Sequence, residues 1–491
     1  MKLFHNATFF TMKAEDDTLK AILVDDDGII IDVYREMPIL PAEIEHIDLQ
    51  ESFVYPGFID THTHSFEGGL YSLAANLNEV RSFRELFEIL SQIKPIDGKI
   101  FAFSLDEMQL AERRFPTNEE LDEIYPHNPV MIRRIDGHSA VLNTYALKSI
   151  PWSEKISTVS NGLLRGRLND EAANWFHQIS EDWILRAYQE ASQIAIQNGH
   201  TTIHTMIGDG RNDPEHYTLI AKNLHLFPIG FILYPQIFDV HKAVELGARR
   251  IGGCLLADGS FGSHTAALLQ PYADEPENYG LLYHSDKFWL DFVTEAHNED
   301  LQVAVHCIGD RAISQLVNTY FTVQKNINKD LRHIIIHNEL TNEDIILKMA
   351  AASITAAMQP MFDQLWAGED GMYQRVLGGK RVQMTNRFKT LGKHNIKIGG
   401  GSDWYVTELN ALKGIDAAIN HHNPNERLSN FEAISLYTKD AAYLSHDENV
   451  IGTLEKGKFA DMVSTNIDLL CPFDYKNIEI TKVIKRGNIL A

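Results

Sequence analysis

Two histidines, His62 and His64, stand one residue apart in the stretch GFIDTHTH, directly after an apolar run and Asp60. Because successive side chains of a β-strand point to opposite faces, Asp60, His62 and His64 would share one face of a strand running into this motif. Two neighbouring imidazoles provide half of a tetrahedral metal site. From this motif alone, two hydrogen-bonded loop histidines are as good an interpretation as a pair of metal ligands, and further ligands have to come from elsewhere in the chain.

Further polar residues stand near the ends of three later apolar runs. LQVAVHCIGD carries His306, RHIIIHNE carries His337 and IKIGGGSD carries Asp403. In an α/β barrel the catalytic groups lie at the carboxyl ends of the parallel strands, so side chains from different strands meet at one end. The sequence therefore predicts that these three residues converge with His62 and His64 on one site.

The elements that would position these residues alternate between apolar, strand-like runs and segments with a helical spacing of apolar residues. This alternation predicts a parallel (β/α)8 barrel. A doubly wound sheet is the alternative, although no run is followed by the glycine fingerprint of a dinucleotide site. The predicted barrel strands are VYPGFIDTH and residues 201–206, 227–234, 251–259, 301–310, 332–339, 354–360 and 396–403.

The two ends of the chain contain short strand-like runs with glycine turns, such as KAILVDDDGIIIDVYRE, which is typical of a hairpin. Neither end is long enough to form a good core alone. We therefore expect one small composite β-sandwich domain from residues 1–53 and 448–491, which leaves 54–447 for the barrel. The long separation between His64 and the second strand predicts an inserted subdomain at about residues 70–185.

The composition excludes several classes of partner. The chain has 491 residues and a formal net charge of −23, so a polyanion such as nucleic acid or an anionic membrane would be repelled.

Its three cysteines, Cys254, Cys307 and Cys471, are not a disulfide framework and suit a reducing compartment. The sequence contains no apolar run typical of a signal peptide or a membrane span. We therefore expect a soluble, cytoplasmic protein.

Several motifs resemble a known family. PGFIDTHTH, HCIGDRA, IIIHNE and GGGSD resemble the metal-binding strands of the amidohydrolase superfamily. ADGSFGSHTAALLQPY, RRIDGHSAVLN and EKGKFADMV are similar to its YtcJ-like metal-dependent hydrolase branch, which includes N-substituted formamide deformylases. The resemblance extends over nearly the whole chain, with the motifs in order. It implies a distorted (β/α)8 barrel, a composite β-sandwich from both termini and an insertion after the first barrel strand.

The resemblance also implies a ligand set. His62, His64 and Asp403 would bind the more buried of one or two divalent ions, most simply Zn²⁺, and His306 and His337 would bind a second ion or assist the first. Such an ion acts as a Lewis acid and lowers the pKa of its water towards about 7. Asp403 would take the proton from the attacking water and pass it to the leaving nitrogen.

The implied function is hydrolysis of a C–N bond in a small amide-type molecule, either a linear amide or an N-acyl or N-formyl group. A deaminase or cyclic amidase in the same scaffold is the alternative, because the loops rather than the strand ends set the substrate. A catalytically idle ligand-binding homologue is another. The sequence leaves open the substrate, the metal and whether the chain forms a homodimer.

One position departs from the family pattern. The family has a lysine four residues before Asp-Gly-Ser, where its carbamate bridges two metals, whereas GGCLLADGS places Cys254 there. A cysteine thiolate is a strong zinc ligand that could bind one ion or bridge two. The alternative is that Cys254 is a small buried apolar residue. A bridging lysine carbamate is excluded at this position in either case.

Other residues are weaker, substrate-side candidates. Asp258, Ser260 and His264 follow the fourth barrel strand, and His204 ends the second. Asp136 and His138 in the predicted insertion could reach over the mouth of the site. Helix capping, salt bridging or core packing would explain each of these equally well. The adjacent histidines at 421–422 stand in a polar stretch typical of an exposed loop.

Overall fold

The computed structural model describes residues 1–134, 139–152 and 159–491. Two units make up this part of the chain. One contains Met1–His64 together with Ser192–Ala491, and the other contains Ser65–Ala191. No helix within the described residues is long and apolar enough to cross a membrane.

The strands of the described residues form four sheets. In chain order they are β1 Lys2–Phe10, β2 Thr18–Val24, β3 Ile30–Tyr34, β4 Glu45–Pro56, β5 Phe58–Thr63, β6 Ala75–Asn76, β7 Ile100–Leu105, β8 Val130–Arg134, β9 Ser139–Leu142, β10 Leu163–Arg165, β11 His200–Ile207, β12 Gly230–Pro235, β13 Arg250–Leu256, β14 Gln302–Cys307, β15 Ile334–His337, β16 Thr355–Met358, β17 Ile398–Gly400, β18 Met462–Thr465, β19 Ile480–Lys485 and β20 Asn488–Ile489.

The helices lie mainly between the central strands. In chain order they are α1 Ser65–Leu73, α2 Phe83–Gln92, α3 Asn118–Asp122, α4 Thr144–Ser149, α5 Arg167–His177, α6 Glu181–Gln197, α7 Tyr217–Asn223, α8 Val240–Glu245, α9 Asp286–Asn298, α10 Asp310–Asn326, α11 Glu343–Ala351, α12 Pro360–Trp366, α13 Met372–Leu377, α14 Gly379–Val382, α15 Phe388–Lys393, α16 Ala411–Ile419, α17 Asn430–Leu436 and α18 Lys439–Leu444. Short 3₁₀ turns occur at Leu224–Leu226 and Tyr475–Asn477.

Eight parallel strands correspond to the predicted barrel strands, and most predicted metal ligands lie in them or just beyond their ends. The eight strands are β5 and β11 to β17, and each contains part of one apolar run that the sequence predicts as a barrel strand. Helices connect the strands from β11 to β17, which explains why these strands are almost wholly buried: a parallel sheet has both faces covered.

The hydrogen-bonded ladders join these eight strands as two parallel sheets. One has the order β12-β11-β5 and the other the order β13-β14-β15-β16-β17. A single closed barrel ladder, as the sequence predicts, is not formed by the described residues. Beyond the end of β17, a parallel bridge pairs Thr63 with Trp404, and the Asp403 N–H donates to the His62 carbonyl at 2.9 Å.

Strands from both ends of the chain form one seven-stranded sheet with the order β20-β19-β18-β4-β1-β2-β3. The predicted hairpin is present as β2 and β3, which pair antiparallel. Phe4, Ile22, Val54, Met462 and Ile484 share the buried core of this sheet. The expected β-sandwich therefore hydrogen-bonds as one continuous sheet that contains residues from both termini.

The unit Ser65–Ala191 has a five-stranded sheet of its own, with the order β10-β9-β8-β7-β6. Leu86 and Leu90 of α2 pack in one apolar cluster with Ile100, Ile132 and Val141 of this sheet. The amphipathic spacing of α2 and its Ser82 cap, which accepts the Glu85 N–H, explain why a helix begins there.

Candidate metal centre

Six side chains from five strands or strand ends come together in three overlapping groups. The groups are His62, His64 and Cys254; Cys254, His306 and His337; and His62, His337 and Asp403. Within each group the candidate ligand atoms lie within 4.8 Å of one another. The structure thus brings together the six residues that the sequence analysis predicts as metal ligands.

Unpartnered polar atoms support an ion at this place. Both ring nitrogens of His62 and the Oδ1 atom of Asp403 are buried and make no hydrogen bond within the described residues. His62 Nε2 and Asp403 Oδ1 are only 3.2 Å apart, and His64 Nε2 lies 3.3 Å from the same oxygen, but neither contact has the geometry of a hydrogen bond. Buried polar atoms require a partner, and donor atoms that face one another in this way fit a divalent cation.

Cys254 reaches the site because its strand is irregular. Gly252 of β13 pairs with Ala304, but the next pair joins Leu255 to Val305, so two residues are bulged out of the ladder. Both Gly252 and Gly253 have φ of +97°, a conformation that side chains other than glycine rarely adopt. Bulges next to active sites re-aim a side chain, and this one turns Cys254 towards the histidines.

The surroundings of Cys254 favour a thiolate. Burial alone would raise the pKa of its thiol, but the imidazoles of His306, His337, His62 and His64 hold that pKa well below its usual range. A thiolate, four imidazoles and a carboxylate are ligands that zinc prefers. The donor set therefore suits Zn²⁺ better than Mg²⁺ or Ca²⁺, which select oxygen.

Asp403 is the acidic member of the set. Burial opposes its ionisation, but the proximity of His62 and His64 holds the pKa of the carboxyl well below its usual range. Its backbone lies in the left-handed region with φ of 55°, and His337 has φ of 68°. Such backbone costs about 1–3 kcal/mol per residue and is concentrated at functional sites.

Hydrogen bonds fix the orientation of two histidine rings. His337 Nδ1 lies 2.7 Å from Gln359 Oε1, and His306 Nε2 lies 3.2 Å from the Gly259 carbonyl. Each oxygen accepts from a ring N–H, so the other ring nitrogen, Nε2 of His337 and Nδ1 of His306, keeps its lone pair for a metal. Gln359, directly before α12, is a residue that sequence reasoning missed.

Two buried carboxylates organise the backbone around the site. Asp60 accepts the N–H groups of His62 and Ser402, and Asp258 accepts those of Ala267, Ile308 and Gly309. Burial raises the pKa of each carboxyl to about 6, against the lowering effect of these hydrogen bonds. Each carboxylate therefore hydrogen-bonds to backbone segments that lie next to candidate metal ligands.

The weaker candidates have different positions. Ser260 lines the cavity at the site. Asp258 is fully buried and both its oxygens accept backbone N–H groups, so a substrate would have to displace these bonds. His264 Nε2 pairs with Asp274 at 3.0 Å. His204 is fully buried in β11, with Nδ1 3.2 Å from Tyr234 Oη.

Two further candidates, Asp136 and His138, lie outside the described residues. The predicted role of these two residues at the mouth of the site therefore stays a prediction.

A cavity of about 470 Å³ opens over the donor groups. This volume falls within the range of about 300–1,000 Å³ that is typical of small-molecule sites. Its polar side contains His64, Cys254, His306, His337 and Asp403. Its other side is largely aromatic and comes from α12, α13 and the loop after β13, with Phe261, Phe362, Trp366, Met372 and Tyr373.

Glu339, another residue that sequence reasoning missed, also lines the cavity. Its carboxyl group accepts a hydrogen bond from the Tyr373 hydroxyl, and burial raises its pKa to about 8. The motif IIIHNE contains this acid two positions after His337, so a signal was present, but nothing in the sequence shows that Tyr373 would meet it.

A separate group of ligand-type residues consists of Asp363 of α12 together with His421 and His422. Asp363 Oδ1 lies 2.6 Å from His422 Nδ1 and 3.1 Å from His421 Nε2. His421 Nδ1 accepts the Asn423 N–H and His422 Nε2 contacts the Val382 carbonyl, whereas His421 Nε2, although 3.1 Å from Asp363, makes no hydrogen bond within the described residues. The hydrogen bonds from His422 to Asp363 link α12 to the segment at residues 421–423. The two histidines are buried or nearly so, which corrects the interpretation of residues 421–422 as an exposed loop.

Comparison with known proteins gives a match over most of the chain. A model of the amidohydrolase family matches residues 45–491. The protein YtcJ of Bacillus subtilis (strain 168), provisionally named an amidohydrolase, is 26% identical over an alignment of 537 positions that covers 99% of each chain. The N-substituted formamide deformylase of Arthrobacter pascens is 21% identical, with 94% of this chain and 93% of that protein covered.

The fold also matches a solved structure. The crystal structure of an uncharacterized metal-dependent hydrolase from Pyrococcus furiosus superimposes with a TM-score of 0.83. It covers 96% of this chain and 100% of the other, at 24% sequence identity. At that identity the likeness is one of fold.

Proposed function

The chain belongs to the amidohydrolase family, and from this premise we propose that it is a metal-dependent hydrolase that cleaves a C–N bond of a linear amide or of an N-acyl or N-formyl group. The observation that carries the proposal is the convergence of His62, His64, Cys254, His306, His337 and Asp403 beneath one cavity. The name of the formamide deformylase relative points to the same bond type.

The donor groups divide into two halves that share Cys254. His62 and His64 would hold one ion with Asp403, and His306 and His337 would hold a second or complete a one-ion site. A divalent ion bound here, Zn²⁺ on the chemistry of the donors, would polarise the substrate carbonyl and make water more acidic. Cys254 would serve as the ligand that both halves share.

Asp403 is the proton carrier in this proposal. Its ionised carboxylate lies at the cavity wall, where it would take a proton from the water that attacks the carbonyl carbon. It would then donate that proton to the nitrogen as the C–N bond breaks. The products are a carboxylic acid and an amine.

We further propose that the eight parallel strands close as a distorted (β/α)8 barrel. The Thr63–Trp404 bridge and the Asp403 N–H bond to the His62 carbonyl, which link the first strand to the end of the last, support this arrangement. The composite domain of residues 1–53 and 448–491, the barrel region 54–447 and the inserted subdomain at about 70–185 belong to the same proposal.

The test combines metal analysis with a substrate panel. Protein purified without added metal, or incubated with Zn²⁺ and then desalted, should contain about one to two equivalents of a divalent ion. A panel of N-formyl amines, N-acetyl amines, cyclic amides and amino-substituted heterocycles then identifies the bond that is cleaved. Protein that retains no ion after incubation with Zn²⁺ would overturn the ligand assignment, and cleavage of only cyclic amides or amino heterocycles would favour the alternative function.

Substitution of Asp403 separates catalysis from binding. Asp403→Asn should abolish turnover while much of the metal stays bound, because the amide keeps an oxygen ligand but cannot accept the proton. Asp300→Asn is the matched control, since Asp300 is an exposed acid paired with Lys329. Unchanged turnover in Asp403→Asn would remove this residue as the proton carrier.

A further inference from the structure

The cavity has an apolar mouth as well as an apolar wall. Leu256, Tyr405 and Val406 line it and are 41%, 46% and 50% exposed. Large apolar side chains that cluster at an exposed edge usually mark a contact surface for a ligand. Here the edge continues inward into the aromatic wall of Phe362 and Trp366. A molecule that enters therefore meets apolar surface from the mouth to the donor groups.

Apart from the donor groups and the metal that they would hold, the described wall of the cavity offers a substrate no cation. Among the described residues that line it, the ionisable side chains are the histidines and cysteine of the donor set together with the acids Glu339 and Asp403, and none is Lys or Arg. The carboxyl of Glu339 is fixed in the wall by the Tyr373 hydroxyl and is only 2% exposed as a residue.

A carboxylate on the part of the substrate that lies away from the metal donors would be poorly accommodated here. Sites that bind carboxylates normally supply an arginine or lysine, because a buried anion without a cationic partner loses its hydration without compensation. Away from the donor groups, the described wall of this cavity offers instead aromatic rings. An uncharged aryl or alkyl group, in contrast, would bury apolar area against this wall.

We propose that the substrate is an amide that carries an uncharged aryl or branched alkyl group and no carboxylate, so that N-acyl amino acids and dipeptides are excluded. The inference rests on the proposed amide hydrolysis and deepens it by naming the substrate class. The apolar group lies between the mouth at Leu256 and the wall at Trp366, with the amide over the donor groups.

A matched pair of compounds tests the selectivity. N-acetyl-2-phenylethylamine and N-acetylphenylalanine differ only in the carboxylate. Calorimetry on the metal-loaded Asp403→Asn protein measures the affinity of each without turnover. We expect the uncharged compound to bind at least tenfold more tightly than the acid, and at least tenfold more tightly than N-acetylethylamine, which lacks the ring.

A single substitution should change the preference. Leu256→Arg adds a cation at the cavity mouth and should raise the affinity for N-acetylphenylalanine at least tenfold. Leu347→Arg is the control, because Leu347 lies on α11, is 56% exposed and is not among the lining residues. Val406→Arg serves as a second variant at the mouth if Leu256→Arg does not fold.

The outcomes separate the inference from the proposed function. Equal binding of the pair, tighter binding of the acid, or no binding of either compound overturns the substrate class. A failure of both mouth variants to improve acid binding also overturns it. Selective binding of the uncharged compound, combined with no hydrolysis of any amide by the unsubstituted protein, supports the selectivity and overturns the hydrolase proposal.

Discussion

The carboxylate of Asp60 accepts the backbone N–H of Ser402 at 2.9 Å, although the two residues are 342 positions apart. The same carboxylate accepts the N–H of His62 at 3.0 Å. Asp60 is thus a direct link between the strand that carries His62 and His64 and the loop that carries Asp403. Asp60 therefore helps to set the spacing of these donor residues, together with the Asp403 N–H bond to the His62 carbonyl.

Asp60→Asn should therefore weaken both the fold and metal binding. The amide keeps one oxygen acceptor but replaces the other with an NH₂ donor, which would face the Ser402 N–H where Oδ2 now accepts it, and an unsatisfied buried group costs about 1–3 kcal/mol. Urea unfolding and metal titration measure the two effects. The same change at Asp291, an exposed acid that pairs with Lys287 on α9, should alter neither. Normal metal affinity in Asp60→Asn would show that other contacts hold the spacing.

Cys254→Ser tests the residue that departs from the family pattern. A serine hydroxyl is not deprotonated at neutral pH and is a poor zinc ligand, so metal affinity should fall at least tenfold, with secondary structure retained. Competition with a chelator measures the change. Cys471→Ser, at an exposed cysteine, is the control. If metal content and activity stay the same in Cys254→Ser, Cys254 is an apolar filler.

Gly253→Ala should disturb the bulge that aims Cys254. An added Cβ would collide with the Met206 sulfur, and φ of +97° is unfavourable for alanine. We expect a loss of about 1–3 kcal/mol in the free energy of unfolding. Gly392→Ala should instead increase the free energy of unfolding, by about 0.5–1 kcal/mol. Gly392 lies in helix α15, and nothing lies within 4 Å of the new Cβ. Equal effects at both positions would contradict this account of the bulge.

The stability should decrease as the pH falls below 6.5, in part through His333. His333 Nδ1 accepts the Val303 N–H, and its Nε2 lies 3.0 Å from His297 Nδ1, so the folded protein needs a neutral ring. Burial, with a smaller effect from His297, lowers the pKa of His333 from 6.5 to about 3. Between these values the unfolded chain binds a proton that the folded protein does not, so stability is present above pH 6.5 and is lost as the pH falls.

The free energy of unfolding should change with pH by an amount that can be measured. One histidine with this shift contributes about 1.4 kcal/mol per pH unit, hence about 2 kcal/mol between pH 6.5 and 5. Denaturant unfolding of His333→Gln at both values should show a slope reduced by this amount. His241→Gln, at a side chain 83% exposed, should keep the slope of the unsubstituted protein. An unaltered slope in His333→Gln would show that other groups cause the acid sensitivity.

The strands and most donor residues could be predicted because each reflects a local rule. Buried parallel strands require apolar runs, and the residue types that bind metals stood near the ends of those runs. His306 near the end of β14 and His337 at the end of β15 lie where the pattern predicts them. Parallel strands then bring their carboxyl ends together without further information from the sequence.

Features that depend on contacts between distant segments could not be predicted. The sequence GGC does not indicate that Gly253 and Cys254 would bulge out of the ladder between β13 and β14. The acid Asp258 was interpreted as facing a substrate, whereas it accepts backbone N–H groups from two other loops. The pair His421 and His422 has polar neighbours in sequence but is buried against Asp363. In each case the partner is remote in the chain.

The seven-stranded sheet has a consequence for how the chain is made. Strand β4 pairs with β18, and Tyr55 of β4 hydrogen-bonds to Asp468, 413 residues later. During synthesis on the ribosome, the first four strands therefore emerge long before the partner that covers their edge. Until β18 has been synthesised, the edge of β4 that it covers stays unpaired. Unpaired strand edges and exposed apolar side chains promote aggregation. The edge of β4 that pairs with β18 is therefore completed only after residues 462–465 have been synthesised.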